Sequence, residues 1–384
     1  MGSGSRDDSS GSAGFNVKPV PIRAVSPADV SMANRPAPGQ PPHRPATLKT
    51  VADRTGVSSM TVSNVINGTG KVGAETRARV KEAIRATGYV PNLQARRLAG
   101  AAGTRIALIH SGDRSPFLTD SLLAVLASTH MAGAQLIVCE GTSATLEDAE
   151  QLVMDAIKAG AEGLILIPPY AERLSNSDTF MRLRMPAIAL AGAQALPGMQ
   201  TVRIDNRLAA DQLASHLIDS GHQRIAFLAG PMEHGDSRER LAGFEDAMAR
   251  AGLPIAPELV RYGRFSFQSG CDIGEDLLGA SSAPSAVLAS NDDMALGVLW
   301  VAHRAGLRIP QDLSLAAFDD TAAARRAWPP LTVANQPMAA MAATATQALL
   351  DCLTGDAGLP QGEQVLPHHV IIRRSSESVT APCN

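Results

Sequence analysis

No stretch of these 384 residues is apolar for long enough to cross a bilayer, where about 20 consecutive apolar residues are needed. The N-terminus also lacks an apolar segment between a basic start and a small-residue cleavage site, so no secretory signal is expected. Cysteine is scarce. Cys139, Cys271, Cys352 and Cys383 stand far apart with no CxxC pair, which argues against a disulfide framework or a thiolate metal cluster and points to a reducing cytoplasm. Aromatic residues are scarcer than in most globular chains, thirteen in all, so each one beside a strand end is informative. Also missing are GxSxG, a Walker loop, HExxH and a GxGxxG that opens a helix. No catalytic residue, metal ligand or cofactor is therefore expected.

The charge present is unevenly distributed. The whole chain carries −3, yet residues 47–100 hold nine Lys/Arg against three Asp/Glu, a net +6, and residues 1–46 add +2. The remaining 284 residues must then carry −11. A basic module on an acidic body implies that one end meets a polyanion and the other does not. Composition and periodicity together divide the chain into four parts. Residues 1–46, rich in Gly, Ser and Pro, read as a disordered leader. Residues 47–90 read as a helical head, 91–103 as a hinge helix and linker, and 104–384 as a larger acidic domain.

In that last part, short apolar runs alternate with amphipathic stretches. RIALIH, QLIVC, GLILI, AIAL, RIAFLAG, AVLAS and LSLAAF read as buried strands. DSLLAVLASTHMAG, LEDAEQLVMDAIKAG, RLAADQLASHLIDSG and RERLAGFEDAMARAG read as helices. Gly133, Gly160, Gly221 and Gly252 suit the left-handed position just past a helix end. This alternation predicts parallel sheets covered on both faces, with too many strands for one small sheet. Two doubly wound parallel-sheet lobes follow, with a ligand cleft at the carboxyl ends of the strands.

The head divides cleanly in TLKTVADRTGVSSMTVSNVINGTGKV. Thr47 caps a helix with Leu48, Val51 and Ala52 inward, Gly56 makes the turn, and Val57 plugs the gap between helices. Ser58 caps a second helix with Val62, Val65 and Ile66 inward, stopped by Asn67-Gly68. Outward lie Ser59, Met60, Thr61, Ser63 and Asn64, short groups able to approach base edges and phosphates. AETRARVKEAIRATG supplies a third helix through Val80, Ala83 and Ile84. In the hinge, Asn92 caps a helix of about seven residues that Gly100 ends, below the ~12–15 residues at which isolated helices hold in water. Pairing on DNA would order it, with Ala95 at the close approach, Arg96 and Arg97 on phosphates and Leu98 as a wedge between base pairs.

VADRTGVSSMTVSNVIN, TRARVKEAIRATGYVPN and ARRLAG resemble the head and hinge of the lactose/galactose-repressor (LacI/GalR) family, from Thr47 to Gly100. The resemblance implies that Ser59, Met60, Asn64 and Leu98 read bases. It implies that Ser58, Thr61, Ser63 and Asn67 hold phosphates, to which the reading of the residues adds Thr47, Arg96 and Arg97. Two departures stand out. Gly73 replaces the usual Ser cap of the third helix, and Met60 replaces a residue that is often polar, which suits contact with a thymine methyl.

VRIDNRLAADQLASHLIDSGHQRIAFLAGP, SRERLAGFEDAMARAGL, LASNDDMALGVLWVAHRAGLRIPQDLSLAAFDD and PPLTVANQP are similar to the same family. The resemblance thus runs from about Arg105 to Arg374 and implies a periplasmic-binding-protein-like sensor. From the residues themselves, Asn291 and Asp292 follow AVLAS, Asp319 and Asp320 follow LSLAAF, and Phe117 and Phe265 offer stacking faces. By resemblance Arg240, Asn291 and Asp319 are polar clamps with Asp293 nearby. Carboxylate and Arg groups each make two hydrogen bonds to vicinal hydroxyls, which suits a sugar. Asp292 and Asp320 read equally well as braces, Tyr170 as a further lining residue, and the pair His368-His369 as a strand-edge feature.

The expectation is a transcription regulator of all-α helix-turn-helix head and α/β sensor, repressing in sense and controlled by a sugar or sugar derivative. Its partners would be double-stranded operator DNA and a second copy of itself, with no membrane, in the cytoplasm at the nucleoid. The C-terminus has no leucine heptad, which favours a homodimer over a coiled-coil tetramer. The alternatives are an enzyme using paired aspartates and a transport-type binding protein. They lack a catalytic motif and an export signal respectively.

Overall fold

The computed structural model describes residues 47–67, 72–87, 103–112, 115–141, 145–355 and 358–376. The expected leader, and the hinge residues Arg96, Arg97 and Leu98, lie outside the described residues. Two compact units divide between residues 94 and 95, and each is described by itself.

The first unit holds α1 (Leu48–Thr55), α2 (Ser59–Asn67) and α3 (Ala74–Thr87). Thr47 and Thr50 form a reciprocal capping box, with Thr50 N donating to Thr47 Oγ1 and Thr47 N to Thr50 Oγ1. Gly56 ends α1 at φ +66°, a left-handed conformation that a side chain would strain. Ser58 Oγ accepts from Thr61 N at 3.1 Å and so caps α2. Val51, Ala52, Val62, Val65, Val80 and Ala83 form the small core, with Leu48, Val57, Val72 and Ile84 half-buried around it. Gly73 supplies only its carbonyl to α3, accepting from Arg77 N at 3.0 Å.

The second unit is built as two lobes. Lobe 1 begins with β1 (Arg105–Ser111), α4 (Pro116–Met131), β2 (Gln135–Gly141), α5 (Leu146–Lys158), β3 (Gly163–Leu166), α6 (Tyr170–Leu174), α7 (Asp178–Leu183), β4 (Ala187–Leu190) and β5 (Gln200–Arg203). Lobe 2 follows with α8 (Asn206–Asp219), β6 (Ile225–Ala229), α9 (Gly235–Arg250), β7 (Val260–Tyr262), α10 (Phe267–Leu278), β8 (Ala286–Ala289), α11 (Asp292–Arg304), β9 (Ser314–Asp319), α12 (Ala322–Arg326) and β10 (Thr332–Asn335). The chain then returns to lobe 1 through α13 (Met338–Leu353) and β11 (Gly362–Val365), and ends in lobe 2 with β12 (Val370–Ile371). The strand order is β11-β5-β4-β3-β1-β2 in lobe 1, all parallel, and β12-β10-β9-β8-β6-β7 in lobe 2, where only β12 runs antiparallel.

Alternation along each strand sends successive side chains to opposite faces. In β1, Ile106 and Leu108 join the cluster that includes Met341, Ala345 and Leu349 of α13. Ala107 and Ile109 join the one that includes Ala149 and Val153 of α5. In β6, Phe227 stacks on Phe244 of α9 at a centroid distance of 5.0 Å, while Leu228 faces the cluster that includes Ile273 of α10 and Val298 of α11. Gly133, Gly160, Gly221 and Gly252 all sit at positive φ just beyond their helices, as the sequence pattern predicts. Among the described residues no helix is long and apolar enough to cross a membrane.

Candidate functional site

The carboxyl ends of both sheets meet at one cavity of about 200 Å³. Lobe 1 brings Ser111 from the end of β1, Ser115 and Phe117 from the start of α4, Ile167 and Pro168 after β3, and Ala191 after β4. Lobe 2 brings Pro231 and His234 after β6, Asp236 and Arg240 on α9, Arg264 and Phe265 after β7, Asn291 and Asp293 after β8, Asp319 ending β9 and Gln336 after β10. All six residues expected from the sequence to meet an effector, Phe117, Arg240, Phe265, Asn291, Asp293 and Asp319, line this one space.

The polar wall is braced by hydrogen bonds within lobe 2. Arg240, only 2% exposed, lies in the second turn of α9. Its Nε donates to Asn206 Oδ1 at 2.9 Å, another guanidinium nitrogen donates to Ser290 O, and its Cζ sits 4.4 Å from the Phe318 ring centroid. Asp236 stands 3.6 Å away, one helical turn earlier. Such a guanidinium is locked in place and its charge is set against the carboxylates around it. Asn291 caps α11, accepting from Met294 N at 3.0 Å, and donates through Nδ2 to Phe265 O at 2.9 Å. That bond helps hold Phe265 at φ +55°, a conformation costly for a bulky residue. Gly230 packs under the Phe265 ring, where a Cβ would collide with it.

The acids are crowded. Asp319, at φ +105°, accepts from Gln336 Nε2 at 2.8 Å. Burial raises its carboxyl above the usual range, while Arg240 pulls the other way. Burial, with the charge of Asp319, pushes Asp293 up to about 6. Asp292 is not part of the lining. Its Oδ2 accepts from Thr321 N at 2.8 Å and Thr321 Oγ1 at 2.9 Å, so it braces the β9–α12 turn, and burial together with Asp319 drives it well above the ordinary value. Asp320 is a brace too, paired with Arg373 at 2.7 Å and Arg325 at 3.1 Å.

One other reading changes, that of Tyr170, while the pair His368-His369 stands beside a strand as expected. Tyr170 is core, 1% exposed beneath β2, and lines no part of the cavity. His368 hydrogen-bonds Gln212 through Nε2 at 2.9 Å, and His369 N donates to Asn335 Oδ1. Asp236, Arg264 and Gln336 are lining residues that sequence reasoning missed. Gln336 was within reach, since it follows a strand as Asn291 and Asp319 do. Asp236 carried a weaker signal, its spacing of four from Arg240.

At the seam beside the cavity, Glu172 of α6 places a carboxylate oxygen 3.7 Å from where a Gly235 Cβ would stand, at the N-terminus of α9. Both its carboxylate oxygens are buried without a hydrogen bond among the described residues. Burial pushes this group up to about 7, opposed by a backbone N–H of its own residue that lies near the carboxylate without meeting hydrogen-bond geometry, with the charge of Asp236 adding to the rise and Arg238 and Arg173 lowering it.

In the head, Ser58, Ser59 and Met60 stand exposed, Met60 at 70%, and Thr61, Ser63 and Asn64 are half-buried on the same helix. Asn67 closes α2, with its side chain outside what is described. Thr47, Ser58 and Thr61 already use their hydroxyls in caps.

Residues 47–92 match the family described as bacterial regulatory proteins, lacI family, and residues 214–376 match the periplasmic binding protein-like domain. The HTH-type transcriptional regulator CelR of Thermobifida fusca is 33% identical over 344 residues, which cover 86% of this chain and 98% of that protein. The chain belongs to the lacI family of bacterial regulatory proteins. The family explains the pairing of a DNA-reading head with a two-lobed domain, and it makes the chain a transcription regulator rather than an enzyme. The HTH-type transcriptional repressor PurR of Photorhabdus laumondii is 33% identical over 331 residues, 86% of this chain and 96% of that one. Among solved structures, the Lac repressor dimer bound to operator and the anti-inducer ONPF is 27% identical, with a TM-score of 0.63 over 87% of this chain and all of that one. A CelR–cellobiose complex is 32% identical, with a TM-score of 0.62 over 86% of this chain and 99% of that one.

Proposed function

We propose that this lacI-family regulator is a repressor that binds a pseudo-palindromic operator as a homodimer and responds to a sugar or sugar derivative held between its lobes. One observation carries the ligand half of this reading: Phe117 from one lobe and Arg240, Phe265, Asn291, Asp293 and Asp319 from the other converge on a single cavity at the strand ends. A ring with one apolar face and several hydroxyls matches aromatic walls beside fixed carboxylate, amide and guanidinium groups.

The DNA half rests on the head. Ser59, Met60 and Asn64 are the base-reading residues in this proposal, with Thr47, Ser58, Thr61, Ser63 and Asn67 on phosphates. The hinge at 91–103 adds Arg96, Arg97 and a minor-groove wedge in Leu98. The sensor then spans 104–384 and the leader 1–46. Exposed apolar side chains support self-association. Leu123, Leu126 and Met131 of α4 are exposed, as is Val138 of the edge strand β2 that α4 packs against, and Tyr262 of the edge strand β7 lies in the lobe that also exposes Phe267 and Trp300. A cytoplasmic, nucleoid-associated location follows from the operator as partner.

The test is selection of bound duplexes from a random library with the full chain. It should return a common two-fold site whose affinity falls roughly 10³–10⁵-fold between 50 and 200 mM salt, as 6–10 phosphate contacts require. A sugar screened at ~100 times its dissociation constant should add ~2.7 kcal/mol of stability. Recovery of no common site would end the regulator reading.

A further inference from the structure

The lobes touch directly at the seam beside the cavity. A Cβ on Gly235, at the start of α9 in lobe 2, would stand 2.5 Å from the Ala193 Cβ of lobe 1, closer than two carbons pack. Gly235 and Ala193 are both buried, so the bare glycine is what lets the lobes meet here. Into this contact α6 of lobe 1 sends Glu172, with one carboxylate oxygen 3.7 Å from the same Cβ position. Both its oxygens are buried without a hydrogen bond among the described residues. A buried carboxylate without a partner is strongly disfavoured, and the neutral acid much less so.

The charges around Glu172 leave it unanswered. Lobe 2 brings Asp236, which repels it, and Arg238, whose Nη1 donates to Met232 O while Nη2 lies 3.5 Å from the Gly235 Cβ position. His234, just before α9, stands 3.9 Å from Asp236 and edge-on to Phe265. In lobe 1, Arg173 follows Glu172 on α6, its Nε buried and unbonded among the described residues. Helix α6 packs on α5 and β1, but Glu150 of α5 accepts from Ser177 Oγ and His110 of β1 is bonded to Ser111 O. An ionised Glu172 thus finds a partner only by leaving the contact, for water or for Arg238 Nη2.

We infer that the seam of Glu172, Ala193 and Gly235 is a proton-controlled contact between the lobes, shut while Glu172 carries its proton and loosened when it is ionised. None of these three residues lines the cavity, so the device acts on the lobes with no ligand present and depends on neither the sugar nor the operator. The direction follows from burial. With the seam shut the carboxyl is raised to about 7, and parted it returns to the ordinary 4.5. The parted arrangement then gains on the shut one by about tenfold per pH unit between those values, roughly 300-fold in all, and gains nothing more above 7.

Hydrogen exchange of the full chain without ligand, read by mass spectrometry on the peptides that hold α6 and the start of α9, tests it. Comparing the wild type with Glu172→Gln at each pH cancels the intrinsic pH dependence of exchange. From pH 5.5 to pH 8 the wild type should lose roughly tenfold or more protection at the seam relative to Glu172→Gln, whose side chain stays neutral throughout. Gly235→Ala should leave the same peptides poorly protected at both pH values, because its Cβ holds the seam apart, and adding Glu172→Gln to it should change little. Equal pH dependence in the wild type and Glu172→Gln overturns the inference, as does a Gly235→Ala variant that exchanges like the wild type. A loss of protection spread evenly over every peptide would mean general unfolding rather than a parting seam, and overturns it too.

Discussion

The two lobes furnish the cleft in different currencies of interaction. Lobe 2 supplies every carboxyl and guanidinium side chain of the cavity, Asp236, Arg240, Arg264, Asp293 and Asp319, each anchored near a strand end or helix start. Lobe 1 supplies Phe117, Leu118, Ile167, Pro168 and Ala191, with two serines. Directional hydrogen bonding and orientation thus belong to one lobe, and non-directional contact area to the other. A ligand held in the cavity therefore touches both lobes, and its hydrogen bonds and its apolar contacts fall on different ones.

The sharpest way to break this division is Arg240→Ala. It leaves buried Asp319 and Asp236 without their cation, and removing one partner of a buried pair costs ~3–5 kcal/mol. Effector affinity should fall at least about 100-fold, or ~2.7 kcal/mol, while operator retention in the absence of effector persists. An unchanged effector dose–response in a reporter or gel-retention titration would show that lobe 2 does not hold the ligand.

Glu172 is lobe 1's exception, a buried carboxylate in an otherwise apolar contribution. Its folded value of about 7 lies above the ordinary 4.5, so folding takes up a proton. Stability is fullest below the ordinary value, falls as pH rises toward 7 and levels off above it, where the cost reaches roughly 3 kcal/mol. Glu172→Gln should therefore raise stability against urea by about that amount at pH 8 and change it little at pH 4.5. A gain of equal size at both pH values would mean that charge burial is not the cause.

Phe117→Ala tests lobe 1 more gently. The side chain is half-buried, and its loss should weaken effector binding roughly tenfold, or ~1.4 kcal/mol, with hydrogen bonding from lobe 2 intact. Calorimetry should show a less negative heat-capacity change on binding, the mark of lost apolar burial. An unaltered heat-capacity change would argue that the ring serves packing alone.

Much of this was legible in the chain because burial writes itself as continuous apolar runs. RIALIH became β1, RIAFLAG β6 and LSLAAF β9, and the glycines after the helices took the left-handed conformation their positions suggested. Less legible were the short strands near the sheet edges. QTVR, VRY and GEQV form β5, β7 and β11, but with three or four residues each and polar side chains among them, no periodicity separates them from loop. The site divides in the same way. Residues directly after apolar strands, Asn291 and Asp319, announce themselves, while Asp236 depends on the helix it shares with Arg240. The fate of Tyr170 shows the limit: Gly141, with no side chain, leaves room for its hydroxyl, and that vacancy drew the ring into the core instead of the cleft. No local pattern records a space made by a residue 29 positions away.

The route of the chain has a consequence for its synthesis. Lobe 1 is begun first but finished late, because α13 packs against α4 and β11 pairs with β5 only after the whole central sheet of lobe 2 has been made. Domains generally fold as they emerge, N-terminal first, at ~5–20 residues per second. A nascent chain paused before residue 338 would thus present a lobe 1 with one face only partly covered, by α4 alone, beside a lobe 2 lacking only its last short strand. The half that supplies the apolar wall of the cavity is the half that must wait on the ribosome, and a chaperone that shields apolar faces during translation has its natural target there.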